Sequence, residues 1–362
     1  MKSYEFGTDL NMPKVAVFTG SDLRNYGGGE KDVINWVSRL KDELDITVYT
    51  PEDSDTTHHR IKKKDLPDVN IVWYKGKKIR LLKDILPLQK FDLSEYDKVY
   101  SMCQGFLLNR KLIPHSKKFL LGIHAQSTLS KEPIEVHKLW KRIFFRILYP
   151  INMHYIKKAD EIRIQNKDDE RRLHEIGFKG KIWNVPPSMF DTTPEPIETN
   201  EFSVIWFNRV SPEKRPEKLV EIAQHLQDVK FYAIGSGPLS YMFKNIPNIE
   251  YLGFLPEDKL SDMLRKASLC IMTSRGENFG MSAVEAQAYG VPTLSYDVMG
   301  LRDYNETVKD ITEMVKRIND HKTEFLNNKE GYMQKRQMLR EHELERFSNK
   351  TVIPQVKDMM IK

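Results

Sequence analysis

The sequence predicts an α/β protein: two Rossmann-like, doubly wound parallel-sheet lobes facing a central cleft. Its 362 residues exceed the length at which one hydrophobic core stops growing, which favours two domains. Short β-branched and aromatic runs alternate with stretches of helical spacing, as parallel strand–helix–strand units require. The alternation halts at the polar, proline-containing stretch PPSMFDTTPEPIETNE and then restarts, which places the joint between the lobes near residues 186–200.

The first lobe should contain strands at KVAVFT, DITVYT, NIVWYK, DKVYSM, KFLLGI, EIRIQN and KIWNVP, with helices over 29–43, 133–157 and 168–176. The second should contain FSVIWF, VKFYAI, IEYLGF, SLCIMT and VPTLSY. After SYDVMGLRDYNET neither a glycine-rich turn nor a further strand is evident, so region 300–325 is expected to be abbreviated. The C-terminal stretch reads as helical and polar, ending in a strap across the first lobe. The expected division is 1–188, 189–345 and a returning helix at 346–362.

Composition narrows the function classes. Hydrophobic content of 40% with 30% charged residues is ordinary for a globular chain without repeats or low complexity. The N-terminus lacks an apolar core, and no apolar run approaches the ~20 residues of a spanning helix, so a cytoplasmic location is expected. Cys103 and Cys270 lie in or beside apolar runs and read as reduced thiols; no metal site is expected. The net charge of +6 is uneven, because residues 1–160 carry 28 Lys/Arg against 20 Asp/Glu, many of the cations between Arg60 and Lys90. A solvated lysine-rich face and a patch for an anionic partner both fit that excess.

In open parallel sheets ligands bind beyond the carboxyl ends of the strands, which selects the loops to read. Behind the first strand, Gly27, Gly28, Gly29 and Glu30 lead into a helix, so backbone can approach a ligand and helix amides face an anion. His124 follows the KFLLGI strand. Arg209 and Lys214 leave FSVIWF together, a fork and a point charge suited to a diphosphate. Gly235, Ser236 and Gly237 end the next strand. In SRGENFGMSAVEAQAYGVP, Glu277 sits in a loop and Glu285 in the following helix, roughly 12 Å along the axis. The amides of Phe279, Gly280 and Met281 lie between them.

In order and spacing these motifs resemble the family-4 retaining glycosyltransferases of the GT-B fold: the E-x7-E block with Phe279 and Gly280 inside it, Arg209 and Lys214, the loop from Gly235 to Pro238, Gly27 to Glu30, and His124. The resemblance implies that Arg209 and Lys214 hold the donor diphosphate and Glu285 the ribose. Glu277, with Asn278, Phe279, Gly280 and Met281, would meet the transferred sugar and its phosphate, His124 would touch the sugar from the opposite lobe, and Gly28, Gly29, Gly235 and Gly237 would approach the donor. It further implies a UDP- or GDP-linked sugar as co-substrate, no metal and no other cofactor. The chain has Ala125 where the family often has an acid. Asp53, Ser54 and Asp55 imitate a D-x-D metal motif and read as incidental.

For the acceptor, the aromatic and basic segment VHKLWKRIFFRILYPINMHYIKK, expected to break at Pro150, suggests a lipid-linked or polysaccharide glycan at an anionic membrane surface. Modified DNA bases are the alternative acceptor class, since the basic first lobe permits duplex binding. A GT-B phosphorylase or epimerase and a non-catalytic nucleotide-sugar-binding protein are the rival functions.

Overall fold

The computed structural model describes residues 12–25, 27–52, 61–75, 91–102, 118–124, 128–129 and 139–362. Cys103, Ala125, the Asp53–Asp55 triplet, and Arg60 and residues 76–90 of the basic stretch lie outside them.

Among the described residues, seven parallel strands form the first sheet: β1 (Lys14–Phe18), β2 (Asp45–Pro51), β3 (Asn70–Tyr74), β4 (Lys98–Ser101), β5 (Lys118–Gly122), β6 (Glu161–Ile164) and β7 (Lys181–Asn184). Their spatial order is β3-β2-β1-β4-β5-β6-β7. The second sheet comprises β8 (Ser203–Phe207), β9 (Lys230–Ile234), β10 (Ile249–Gly253), β11 (Leu269–Met272), β12 (Thr293–Tyr296) and β13 (Glu306–Val308), in the order β10-β9-β8-β11-β12-β13. Both orders reverse direction beside the lobe's first strand. Each reversal opens a crevice at the carboxyl ends, between β1 and β4 and between β8 and β11. Near-continuous burial along β1, β4, β8 and β11 reflects helices on both faces, which is why these strands read as apolar runs rather than alternating ones.

Two expectations are corrected. Region 300–325 is not abbreviated: β13 pairs with β12 through Leu294–Glu306, Ser295–Thr307 and Tyr296–Val308, and α7 (Ile311–Asn327) follows, capped by the Asp310 side chain. Three residues, Glu-Thr-Val, are too few to show a period. The helix α2 (Leu139–Ile156) runs through Pro150 instead of breaking there.

The remaining helices that matter for the site are α1 (Gly28–Leu40), α3 (Lys167–Glu175), α4 (Pro216–His225) and α6 (Met281–Ala288). The chain ends in α8 (Lys329–Phe347) and α9 (Asn349–Ile361), with a bend at Ser348 where Asn349 donates its amide to the Phe190 carbonyl. That bend returns the chain to the first lobe. There Val352, Val356, Met359 and Met360 are buried with Trp36, Val37 and Leu40 of α1. The ammonium of Lys98, itself buried, is held 3.0 Å from Glu161 and 2.7 Å from the Met359 carbonyl, tying strap to sheet.

If the strap is core rather than ornament, Met359→Ala should cost about 2–5 kcal/mol, because it leaves a cavity against α1. Urea unfolding should show a lowered midpoint; an unchanged midpoint would contradict this packing.

Candidate functional site

Two helix starts face each other across the cleft. Helix α1 begins after Gly27 and α6 after Gly280, and neither has a side-chain cap, so their first amides lack intrahelical partners. Gly280 turns the chain into α6 at φ 83°, a left-handed conformation that glycine adopts without strain. A Cβ on Gly28 would stand 2.6 Å from the Met281 sulfur, so a larger residue there would have to push the Met281 side chain aside.

Around these ends lies a cavity of about 660 Å³, lined from the first lobe by Gly27, Gly28, Gly29, Asp32, His124 and Gln165. The second lobe contributes Asn208, Arg209, Glu213, Lys214 and the run from Gly276 to Ser282. Ten of the sequence-predicted residues therefore converge: Gly28, Gly29, His124, Arg209, Lys214, Glu277, Asn278, Phe279, Gly280 and Met281. Three do not line the cavity. Glu285 stands a turn further along α6, where burial pushes its carboxyl above the usual range and Lys31 of α1 opposes that rise. Gly235 and Gly237 serve chain packing: a Cβ on either would strike the carbonyl of Asn208 or Val210.

The cations are already partnered within the chain. Arg209 pairs with Glu213 at 2.6 Å, and Ser211 donates to the same Glu213 oxygen at 2.6 Å. Burial alone would raise Glu213, yet these hydrogen bonds and the Arg209 charge hold it below the usual carboxylate range. Lys214 pairs with Glu277, whose Oε1 also accepts from Ser274 at 2.6 Å. The turn Pro212–Lys214 is pinned to the end of β11 by Thr273 Oγ1 donating to the Lys214 carbonyl at 2.7 Å. Across the cleft, burial raises Glu30 against a hydrogen bond from Ser21.

On the first-lobe wall, Arg163 of β6 forms a fully buried ion pair with Asp32 of α1 at 2.8 Å, and it donates to the carbonyls of Val185 and Pro186. Asp32 accepts in turn from the amide and hydroxyl of Ser188. Arg163 also donates to the Tyr100 hydroxyl at 3.3 Å, which meets His124 Nε2 at 2.6 Å, while Gln165 Nε2 lies 3.4 Å from Nδ1. Both ring nitrogens of His124 are thus turned to protein partners. Burial, with the nearby Arg163 charge, lowers His124 from its ordinary 6.5 to about 4.

Asn278 joins the lobes. Its side-chain amide donates to the Ile123 carbonyl at 2.9 Å and to Gln165 Oε1 at 2.8 Å, and its backbone carbonyl accepts from Asn166 Nδ2 at 2.8 Å. Asn166 is at the same time the N-cap of α3. Asp303 of the second lobe accepts from the Lys167 amide at 3.0 Å close by.

Sequence reasoning missed Asp32, Arg163, Tyr100, Gln165, Asn166, Asn208 and Glu213. Arg163 carried a signal, being a charged residue inside the apolar strand EIRI, and Glu213 stands four residues after the arginine it pairs with.

Residues 190–342 match the family described as Glycosyl transferases group 1. That match spans most of the second lobe and less than half of the chain. Over 289 residues the chain is 27% identical to the uncharacterized glycosyltransferase MJ1178 of Methanocaldococcus jannaschii, covering 76% of each protein. It is 31% identical over 126 residues to the D-inositol 3-phosphate glycosyltransferase of Gordonia bronchialis, covering 29% of this chain and 27% of that one. Among solved structures, sucrose-phosphate synthase from Thermosynechococcus elongatus superposes with a TM-score of 0.72 at 14% identity, covering 96% of this chain and 98% of that one. Anabaena HepE in complex with UDP gives 0.70 at 16% identity, covering 96% and 99%. The fold is GT-B. The matched region supplies every lining residue from Asn208 onward, and the first lobe closes the cavity over it.

A histidine whose folded value lies below its unfolded one binds its proton more readily in the unfolded chain, so the native state loses stability as pH falls from 6.5 towards 4. His124→Gln should flatten that part of the pH–stability curve, and NMR should find the His124 ring neutral at pH 6; a ring titrating near 6.5 would overturn the buried relay.

Proposed function

We propose that the chain is a retaining, family-4-like glycosyltransferase of the E-x7-E type. It moves a hexose-type sugar from a UDP- or GDP-sugar to a lipid-linked or polysaccharide acceptor, as a cytoplasmic protein peripheral to a membrane. One observation carries the reading: Arg209, Lys214 and the uncapped starts of α1 and α6 meet in one cavity with Glu277 and His124. A sugar diphosphate matches that set, since two cations and two helix starts take the phosphates and a carboxylate takes sugar hydroxyls. UDP is bound by the HepE neighbour of the same fold.

The donor diphosphate replaces Glu213 on Arg209 and Glu277 on Lys214, which turns the Glu277 carboxylate to the sugar. Glu285, one turn beyond, reaches the ribose hydroxyls, and the loop holding Gly235 and Gly237 borders the nucleoside end. As the anomeric carbon–oxygen bond breaks, negative charge grows on the departing diphosphate. Arg209, Lys214 and the helix starts stabilise it, so this reading needs neither metal nor further cofactor. The acceptor oxygen bonds to the anomeric carbon on the face the phosphate leaves, and its proton passes to the leaving phosphate oxygen. The configuration is thereby retained. His124, neutral through the physiological range, shapes the sugar-side wall rather than exchanging a proton. Lobe closure excludes water from the cation-like state.

A thermal-shift screen against UDP, GDP and their sugars tests this. The true nucleotide at 100 times its dissociation constant should stabilise by about 2.7 kcal/mol. Glu285→Ala should abolish the shift, and Lys214→Ala should lower kcat/KM by about 10²–10³-fold. Absence of a shift with every nucleotide would refute the proposal.

A further inference from the structure

We infer that α2 lies on an anionic lipid surface through Ile143, Ile147 and Ile151. These isoleucines recur at every fourth position and therefore form one stripe, and their exposures are 50%, 66% and 48%. Among the described residues nine large hydrophobics are exposed; the other six are scattered over separate elements, so this stripe is the concentrated one. The helix already has an inner face, with Met153 and Ile156 buried in the first lobe's core and Tyr149 packed against it. One apolar face suffices for docking onto the sheet; the second has no partner within the described chain.

Charge commits that second face to one occupant. From Val136 to Lys158 the sequence holds Lys138, Lys141, Arg142, Arg146, Lys157 and Lys158, and no Asp or Glu. Arg146 is exposed on the helix beside the stripe, and Lys157 and Lys158 are exposed just past its C-terminal end. Apolar side chains flanked by cations suit the boundary between acyl chains and anionic headgroups. No helix among the described residues is long and apolar enough to cross a membrane, so α2 lies along the surface instead of spanning it. It is also tied to the site: Asn152 donates to the Thr128 carbonyl at 2.7 Å, four residues beyond His124. A bilayer seated on α2 would hold its lipids beside the cleft. This deepens the reading of a membrane-held acceptor and rests on it, although vesicle binding and sugar transfer are read separately.

Flotation of the full chain with vesicles of phosphatidylglycerol and phosphatidylcholine, against phosphatidylcholine alone, is the test. Binding to the anionic vesicles is expected, weakened by salt and weakened at least about tenfold by Ile147→Glu. Lys157→Glu with Lys158→Glu should weaken it too, while each variant keeps the wild-type melting temperature and turnover of nucleotide sugar with a water-soluble acceptor. No binding by the wild type, equal binding to neutral vesicles, or an Ile147→Glu variant that floats like wild type would overturn the inference. So would a wild-type dimer in solution that Ile147→Glu dissociates, since a second copy would then cover the stripe. Vesicle binding without turnover of any nucleotide sugar would instead sink the functional reading and leave this one standing.

Discussion

The Asp32–Arg163 ion pair is the contact on which the first-lobe side of the cleft depends. A buried pair of this kind offers little net stability over an apolar replacement, but loss of one partner leaves a charge stranded and costs about 3–5 kcal/mol. Here the pair joins elements that lie far apart in sequence. Asp32 belongs to the glycine-led helix α1, Arg163 to β6, and the groups they bind come from residues 185–188, where the chain leaves for the second lobe. Through Tyr100 the same guanidinium fixes His124. Burial works against the Arg163 proton, yet Asp32 and Tyr100 hold it above its ordinary range, and burial pushes the Tyr100 phenol up to about 12. Both shifts favour a charged Arg163 beside a neutral Tyr100.

The second-lobe side follows the opposite principle. Arg209 and Lys214 are satisfied by Glu213 and Glu277, which line the cavity rather than the sealed interior. Arg209 is 62% exposed, so its pair with Glu213 is the weaker of the two. A ligand with two phosphates offers the same cations more oxygens while helix amides add a field of fixed sign. The first-lobe pair is sealed and the second-lobe pairs face the cavity, which lies where the two lobes meet.

Much of this was legible in the sequence, and the omissions have physical causes. Twelve strands were visible because buried parallel strands are continuous apolar runs; β13 was not, because three residues cannot display a pattern. Ten residues of the site could be found because ligands meet strand-end loops in open sheets, a rule that needs only local information. Arg163 and Tyr100 act through neighbours 63 residues apart in the chain, which no local spacing encodes. Gly235 and Gly237 look like ligand-facing glycines in sequence, but a glycine needed for chain-to-chain packing has the same appearance. The α2 segment read as aromatic and basic; its exposed isoleucine stripe becomes evident only once the opposite face is seen in the core.

Asn278 stands next to Glu277, and its three hydrogen bonds are made entirely to the other lobe. The segment that would grip the sugar is therefore also the clasp between the two halves. Were the halves to part around a leaving ligand, that clasp and the Asp303–Lys167 contact beside it would open together, next to the Glu277 carboxylate. Site occupancy and the spacing of the two lobes would then be read by the same few hydrogen bonds.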